Sequence, residues 1–257
     1  MITPRNTFTI VFQSCVLMLL FASCGDQKND FKTWSVYRGD AGNTAWSALD
    51  QINKGNVDKL EVAWTYHTGD AEPGNRSAIQ CNPIIVNGHM YLTSPKLKLI
   101  AVDPATGNEQ WRFDPFKGKQ ARGVNRGVTY WEDGQDKRIF FSAESWLYAL
   151  NADDGSPVSD FGAGGKVDLR EGLGREAARL SVEATSPGVI YKDLLIQGTA
   201  LGEGYDAAPG FIRAYNVRTG EIAWTFHTIP QPGEPGYETW PPEAYKEVGG
   251  ANSWAGM

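Results

Sequence analysis

The sequence predicts an all-β fold: a β-propeller of four-stranded antiparallel blades, of which about three to four are present. Three observations lead to this prediction. A strand-and-turn segment recurs three times, short alternating strands separated by turn signals lie between the copies, and glycine and tryptophan are in excess. The 257 residues include 29 Gly and 9 Trp, which suits tight turns between short strands and aromatic rings packed between sheets.

The recurring segment begins at Leu99, at Leu147 and at Ile212. In each copy an alternating strand ends in Ala-x-Asp or Ala-x-Asn, and a glycine follows four residues after the Asp or Asn. Such a pair favours a tight hairpin turn, because the Asp or Asn side chain bonds the local backbone and glycine accepts a positive φ. The predicted turn glycines are Gly107, Gly155 and Gly220.

An aromatic residue follows each turn. Trp111 and Trp224 lie four residues after the turn glycine in the first and third copies, whereas the second copy has Ser159 there and Phe161 nearby. The large face of a tryptophan can pack between neighbouring sheets, so Trp111 and Trp224 are predicted to dock one blade on the next. Trp64, just before Thr68-Gly69, resembles the tail of an earlier unit.

Further strands are predicted at 83–92, 138–143 and 189–197, with turn signals at Asn87-Gly88, Asp133-Gly134 and Lys192-Asp193. Four short strands in every ~40–50 residues is the pattern of a propeller blade. The alternative, a β-sandwich with accidentally similar hairpins, does not explain three copies with one spacing. Because an open propeller leaves blade faces uncovered, we expect the chain to be the amino-terminal part of a longer protein.

The first 24 residues are predicted to be a lipoprotein-type signal peptide. One Arg precedes a largely apolar stretch at 8–22, shorter than the ~20 residues of a spanning helix. Phe21-Ala22-Ser23-Cys24 then resembles a bacterial lipobox, which would make Cys24 the lipidation site. A plain cleaved signal and a retained anchor helix are the alternatives. We expect a periplasmic or cell-surface lipoprotein held to the membrane, with residues 25–32 as a linker and 33–257 as the propeller portion.

The composition excludes several classes of protein. The 24 basic and 30 acidic residues give a net charge of −6, and no basic block is present, which argues against a nucleic-acid partner. Three cysteines are too few for a disulfide scaffold. If Cys15 leaves with the signal peptide and Cys24 is lipidated, Cys81 alone remains, so we expect stability to come from packing.

The repeat of the form Ala-x-Asp-x-x-Thr-Gly-x-x-x-Trp resembles the blades of the quinoproteins, the dehydrogenases that depend on pyrroloquinoline quinone (PQQ). Supporting segments lie at 34–40, 49–53, 124–127, 160–162, 185–187 and 249–254. The Asp160-Phe161-Gly162 context is similar to the membrane-associated glucose and polyol dehydrogenase branch. The resemblance implies an eight-bladed propeller with PQQ and a divalent metal, usually calcium, on its axis.

The resemblance also implies cofactor roles for five residues. Trp254 matches a tryptophan that lies flat against PQQ, and Arg126 matches an arginine that contacts it. Gln80 stands where relatives often carry a Glu that bonds the cofactor, and Thr185 and Ser186 offer hydroxyls to a PQQ carboxylate. The structural alternatives are an inter-blade tryptophan, a surface arginine, a strand-end glutamine and turn hydroxyls.

Glu203 lies near the place where alcohol dehydrogenase relatives carry a calcium-binding Glu; a solvated loop glutamate is the alternative. Gln120 and Ala121 replace adjacent cysteines of the methanol and alcohol dehydrogenases, and Arg122 stands where the glucose branch often has His. In the family, the Asp that acts as general base and a metal-binding Asn follow the region that matches Trp254. We therefore expect these 257 residues alone to be inactive.

The function that the resemblance implies is oxidation of a sugar or alcohol by hydride transfer to PQQ, with electrons passed to a membrane quinone or a cytochrome. The alternative is a non-catalytic, lipid-anchored propeller scaffold of the kind that acts in outer-membrane protein assembly. A third hypothesis is a module that binds a partner through its open blade edge. Arg126 and Trp254 favour the enzyme, because a scaffold needs neither.

Overall fold

The computed structural model of the protein describes residues 31–74, 77–176 and 179–256. The predicted signal peptide and Cys24 lie outside these residues. The described part folds into three four-stranded antiparallel sheets and one two-stranded sheet, which confirms the prediction of an all-β fold. The helical elements described there include two 3-10 turns, Val57–Lys59 and Tyr237–Thr239, and α1, Ala244–Glu247. None of these helices is long and apolar enough to cross a lipid bilayer.

Each four-stranded sheet forms one blade, numbered in chain order. Blade 1 contains β1 (Ile84–Val86), β2 (His89–Thr93), β3 (Leu99–Val102) and β4 (Glu109–Phe113). Blade 2 contains β5 (Thr129–Asp133), β6 (Asp136–Ala143), β7 (Trp146–Asn151) and β8 (Lys166–Asp168). The third blade follows the small sheet of β9 (Val182–Glu183) and β12 (Ala200–Leu201), and contains β10 (Val189–Tyr191), β11 (Leu194–Gln197), β13 (Ile212–Asn216) and β14 (Ile222–Phe226).

The predicted turns lie between the first two strands of each blade. Asn87 and Gly88 join β1 to β2 with φ angles of 52° and 81°, the left-handed pair that a two-residue hairpin needs. Gly134 follows β5, and Lys192-Asp193 joins β10 to β11. These turns are determined by residues adjacent in the sequence, which explains why the sequence predicted them.

Turn glycines are the points at which successive units touch. A Cβ added at Gly155 would lie 2.4 Å from the ring of Trp111, so only glycine lets the ring approach the turn. The indole Nε1 of Trp111 donates a 3.1 Å hydrogen bond to the carbonyl of Ala152. Gly107 accepts the ring of Trp64 in the same way. The predicted docking of blades through Trp111 is confirmed.

The second and third copies depart from a simple tryptophan rule. Phe161 is fully buried and lies against Gly220, so a phenylalanine takes the docking place that Ser159 leaves empty in the second copy. Trp224, predicted to dock a blade, is instead 41% exposed. Among the described residues no further blade lies beyond β14, so the docking role of Trp224 stays a prediction.

Blade 2 is buried on both faces. Ile139 and Phe141 on β6 pack in the core shared with blade 1, whereas Phe140 between them packs in the core shared with blade 3. Alternate side chains of a strand point to opposite faces of the sheet, so a strand between two cores is apolar throughout. This stacking is the arrangement of neighbouring propeller blades.

Two buried arginines connect blade 2 to blade 3. Arg138 on β6 donates 2.9 Å hydrogen bonds to the carbonyls of Val217 and Arg218. Arg213 on β13, only 1% exposed, donates to the carbonyls of Leu169 and Glu171 in the reverse direction. These bonds satisfy carbonyls that the turns leave without partners, and they hold the two blades at a defined angle.

Candidate active site

Three segments, each leading into the first strand of a blade, meet at one place. The amide of Asn82, before β1, donates a 2.8 Å hydrogen bond to the carbonyl of Arg126, before β5. The amide of Arg126 donates in turn to the carbonyl of Thr185, before β10, also at 2.8 Å. Equivalent positions of the three blades are thereby joined through their backbones. Side chains from these segments consequently project into a common region.

Four of the predicted cofactor residues contact one another here. Arg126 Nη1 donates a 2.8 Å hydrogen bond to Thr185 Oγ1, and its guanidinium carbon lies 4.9 Å from the ring centroid of Trp254. The carbonyl oxygen of Trp254 accepts a 2.7 Å hydrogen bond from Ser186 Oγ and a longer one, 3.4 Å, from Thr185 Oγ1. We call Arg126, Thr185, Ser186 and Trp254 the arginine–tryptophan cluster.

The cluster combines two buried hydroxyl groups with two side chains that solvent can reach. Thr185 and Ser186 are buried, whereas the side chain of Arg126 is partly exposed and Trp254 is 48% exposed. The hydroxyls hold the backbone of Trp254 in place, and the indole ring and the guanidinium remain open to a ligand. Such an arrangement can bind a flat anion through stacking and charge-assisted hydrogen bonds.

Two buried amides that sequence reasoning missed support the cluster. Gln197 Nε2 donates to the carbonyls of Ser186 and Gly198, at 3.1 and 2.7 Å. Asn125 Oδ1 accepts a 2.8 Å hydrogen bond from the amide of Gly127, which shapes the turn around Arg126. A polar residue at the end of an apolar strand, as Gln197 is, was the available signal in the sequence.

Close backbone approach at Gly198 positions Trp254. A Cβ at Gly198 would lie 2.1 Å from the carbonyl oxygen of Ser253, so the segment that carries Trp254 depends on a bare backbone there. We expect Gly198→Ala to displace Trp254 and to weaken binding of a stacked ligand at least ~10-fold, about 1.4 kcal/mol. The quenching of tryptophan fluorescence by added PQQ measures this affinity.

Gly202 provides the matched control for this substitution. A Cβ at Gly202 would meet no atom within 4 Å, so Gly202→Ala should leave the affinity unchanged. Equal affinities for the Gly198→Ala protein and the unmodified protein would show that the approach of Ser253 does not position Trp254.

Two predicted residues do not join the cluster. Gln80 is exposed, and although Asn82 bonds the backbone of Arg126, no hydrogen bond of the described residues links the Gln80 side chain to the cluster. Glu203 is exposed in the loop between β12 and β13. In the described part of the chain, no group of three or more His, Cys, Asp or Glu side chains could hold a metal ion. The metal-binding role of Glu203 therefore stays a prediction.

A pair of glutamates lies beside the same segments. Burial raises the pKa of Glu183 on β9, and the negative charge of Glu144 raises it further. The carboxylate of Glu183 lies against Gly123, where a Cβ would be 3.0 Å from Oε2. The negative charge of these carboxylates makes this neighbourhood unfavourable for an anion.

The chemistry of the cluster fits PQQ, a planar tricarboxylate with an ortho-quinone. Arg126 supplies a cation that keeps its charge at all relevant pH values, Thr185 and Ser186 supply hydroxyls, and the half-exposed ring of Trp254 supplies a flat surface. A divalent metal is not matched in the same way, because among the described residues Glu203 belongs to no group of three or more His, Cys, Asp or Glu side chains that could hold one.

Comparison with known proteins places these features in a family. A family model described as "PQQ: Glucose/ethanol/alcohol dehydrogenase, beta-propeller domain" matches residues 34–257. The quinate/shikimate dehydrogenase (quinone) of Acinetobacter baylyi is 33% identical over 251 residues, which cover 87% of this chain and 31% of that protein. The quinoprotein glucose dehydrogenase A of Acinetobacter calcoaceticus is 33% identical over 223 residues, covering 76% and 28%.

Solved structures of quinohemoprotein dehydrogenases are also similar to this chain. The quinohemoprotein alcohol dehydrogenase of Comamonas testosteroni matches with a TM-score of 0.63 and 29% identity, over 81% of this chain and 29% of that chain. Quinohemoprotein alcohol dehydrogenase ADHIIG of Pseudomonas putida HK5 matches with a TM-score of 0.69 and 26% identity, over 89% and 33%. The chain thus spans about a third of the length of the proteins it matches.

Proposed function

The chain belongs to the family of PQQ-dependent glucose, ethanol and alcohol dehydrogenase propellers, and on that basis we propose that it binds PQQ at the arginine–tryptophan cluster. The protein to which it contributes oxidises a sugar or an alcohol. The single observation that carries this proposal is the meeting of Arg126, Thr185, Ser186 and Trp254, from three separate segments, at one half-open place.

Each residue of the cluster has a defined part in binding. Arg126 pairs with a carboxylate or a quinone oxygen, because its guanidinium is a permanent, directional donor. Trp254 stacks on the flat ring, and Ser186 keeps the indole in position through the backbone carbonyl of Trp254. The hydroxyl of Thr185, whether or not it keeps its hydrogen bond from Arg126, donates a hydrogen bond to a carboxylate of PQQ. When bound, PQQ supplies a quinone that accepts a hydride from the substrate carbon.

The relatives support the substrate class and the electron acceptor. Their names include dehydrogenases of quinate or shikimate, glucose, glycerol and alcohol, and some are designated "(quinone)". We accordingly assign a hydroxylated small molecule as substrate and a membrane quinone or a cytochrome as acceptor. The general base is not assigned to any described residue, and the scaffold alternative has no observation in its favour.

Three finer assignments belong to this proposal. Glu203 contributes to a site for calcium or another divalent cation. Gln80 approaches the cofactor from the segment before β1. The lipobox-like Cys24 carries a lipid anchor, which would hold the protein at a membrane on the periplasmic or outer face.

Reconstitution with PQQ tests the proposal. We expect the purified full-length protein to take up about one equivalent of PQQ and to reduce an artificial electron acceptor when a sugar or alcohol is added. The 257-residue chain should show no turnover with PQQ, calcium and glucose. Failure of the full-length protein to bind PQQ would contradict the proposal, and turnover by the 257-residue chain would contradict the expectation that it lacks the base.

A further inference from the structure

A cavity of about 400 Å³ lies beside the arginine–tryptophan cluster. Its described lining combines one apolar wall with polar and charged groups: Glu72, Ser77, Lys96, Gln120 and Arg122. A volume of this size is within the range of small-molecule sites. The cavity is open on one side, so a substrate could enter it directly from solvent.

The cavity adjoins the cluster through the chain itself. Val124 lines it and lies two residues before Arg126, a separation of at most ~7 Å along the backbone. Ala78 also lines the cavity and lies four residues before Asn82, whose amide donates a hydrogen bond to the carbonyl of Arg126. Two segments that line the cavity therefore lead along the chain to the place where PQQ is proposed to bind.

The charges of the cavity leave one cation without a counterion. Lys96 pairs with Glu72 at 3.5 Å, and Gln120 Nε2 donates to the same carboxylate at 3.1 Å. Arg122 is exposed, and within the described residues its guanidinium forms no ion pair; only its backbone amide bonds, to Glu144 Oε1 at 3.1 Å. Because the guanidinium of Arg122 has no ion-pair partner among the described residues, its planar set of N–H donors is available to a ligand in the cavity.

A second cavity, of about 380 Å³, lies on the other side of Arg122 but suits an anion less well. Its lining includes Glu144, Glu183 and Arg179, together with Arg122 itself. Arg179 is already paired with Glu176 at 2.9 Å, and burial, with the negative charge of Glu144 added to it, raises the pKa of Glu183. An anionic ligand is therefore directed to the first cavity.

We propose that the first cavity is the substrate subsite and that Arg122 selects a polyhydroxylated carboxylic acid, rather than a neutral sugar, by pairing with its carboxylate. Ser77 and Gln120 are placed to contact the hydroxyl groups of such a molecule. This inference rests on the proposed function, because it names the substrate class of the same site. It makes Arg122 a residue that determines specificity and binds substrate.

Two pairs of probes differ chiefly in the carboxylate: quinate against its methyl ester, and gluconate against sorbitol. Binding of each to the full-length protein is measured by calorimetry, with and without PQQ. We expect at least one acid to bind ~10-fold or more tightly than its neutral counterpart, and the preference to shrink as ionic strength rises. In the holoenzyme, the same preference should appear in KM rather than in kcat.

Variants separate Arg122 from its surroundings. Arg122→Gln should weaken binding of the preferred acid roughly 30-fold or more while leaving the neutral probe unaffected, and Arg122→Lys should recover part of the loss. Arg179→Gln is the matched control, since it removes an exposed arginine from the second cavity. This control should change binding less than twofold. Circular dichroism verifies that each variant is folded.

The outcomes are distinct from those of the proposed function. Equal binding of acids and neutral counterparts, absence of binding by all four probes, or an acid preference that survives Arg122→Gln would each overturn the role of Arg122. PQQ uptake is measured separately on the same samples. Loss of PQQ binding in the unmodified protein would overturn the proposed function, whereas calorimetry without PQQ would still decide whether the cavity prefers an acid.

Discussion

Trp111→Ala is expected to lower the free energy of unfolding of the 257-residue chain by about 3–5 kcal/mol, the range for removing a large aromatic from a core. Trp111 is buried between blades 1 and 2, with its ring on the turn of Gly155 and 5.8 Å from the ring centroid of Tyr91. Its Nε1 also donates to the carbonyl of Ala152. The alanine variant therefore loses apolar burial, leaves a cavity and loses one of the two hydrogen bonds that the Ala152 carbonyl accepts, since Tyr91 Oη donates the other. Urea denaturation followed by circular dichroism measures the change.

Trp224→Ala is the matched control, because Trp224 holds the equivalent position of the third copy but is 41% exposed. We expect it to cost about 1 kcal/mol or less, since an exposed side chain loses little contact on truncation. Equal losses for the two variants would contradict the docking role given to Trp111. A smaller loss for Trp111→Phe than for Trp111→Ala would separate ring packing from the indole hydrogen bond.

Arg126→Ala is expected to reduce the affinity for PQQ roughly 100-fold, because a hydrogen bond to a charged group contributes about 1.5–3 kcal/mol and Arg126 also organises its neighbours. Its guanidinium bonds Thr185 Oγ1 and lies over the Trp254 ring. Removing it takes away the only cation of the cluster and frees the indole to move. Equilibrium titration with PQQ, followed by absorbance and by tryptophan fluorescence, measures the affinity.

Arg126→Lys should bind PQQ with intermediate affinity, since lysine keeps the charge but not the planar set of donors. Arg112→Ala serves as the control, because Arg112 on β4 is engaged with Glu109 and Tyr66 and contacts no residue of the cluster in the described chain. An Arg126→Ala protein that binds PQQ as the unmodified protein does would exclude the cluster as the cofactor site. A similar loss with Arg112→Ala would point to a general effect of charge.

Most of the local structure could be predicted from the sequence. The Asn87-Gly88 turn, the hairpin glycines such as Gly107, and the alternating strands are set by residues close together in the chain, and their backbone preferences act without tertiary help. The docking ring was predicted correctly at Trp111 for the same reason. It was missed at Phe161 because a buried aromatic of another type, at another spacing, performs the same packing.

Trp224 illustrates the limit of the repeat. Its sequence context is the same as that of Trp111, yet its burial depends on what lies beyond β14, which no local pattern contains. Similarly, the buried arginines Arg138 and Arg213 have no sequence signal, because their acceptors are turn carbonyls of a neighbouring blade. Only the stacking of the blades brings donor and acceptor together.

For the candidate site, the sequence by itself determined the kinds of residue: the arginine in Val-Asn-Arg-Gly, the hydroxyls before Pro187 and the tryptophan at position 254. The tertiary structure decided which of them meet. Arg126 and Thr185 are 59 residues apart, and Ser186 and Trp254 are 68 apart. Such contacts require the lead-in segments of separate blades to converge, which depends on how the sheets pack. The same convergence left Gln80 and Glu203 outside the cluster. It also placed Arg122, which forms no ion pair with another described residue, at the cavity. Such long-range geometry follows from packing between blades and not from local backbone preference.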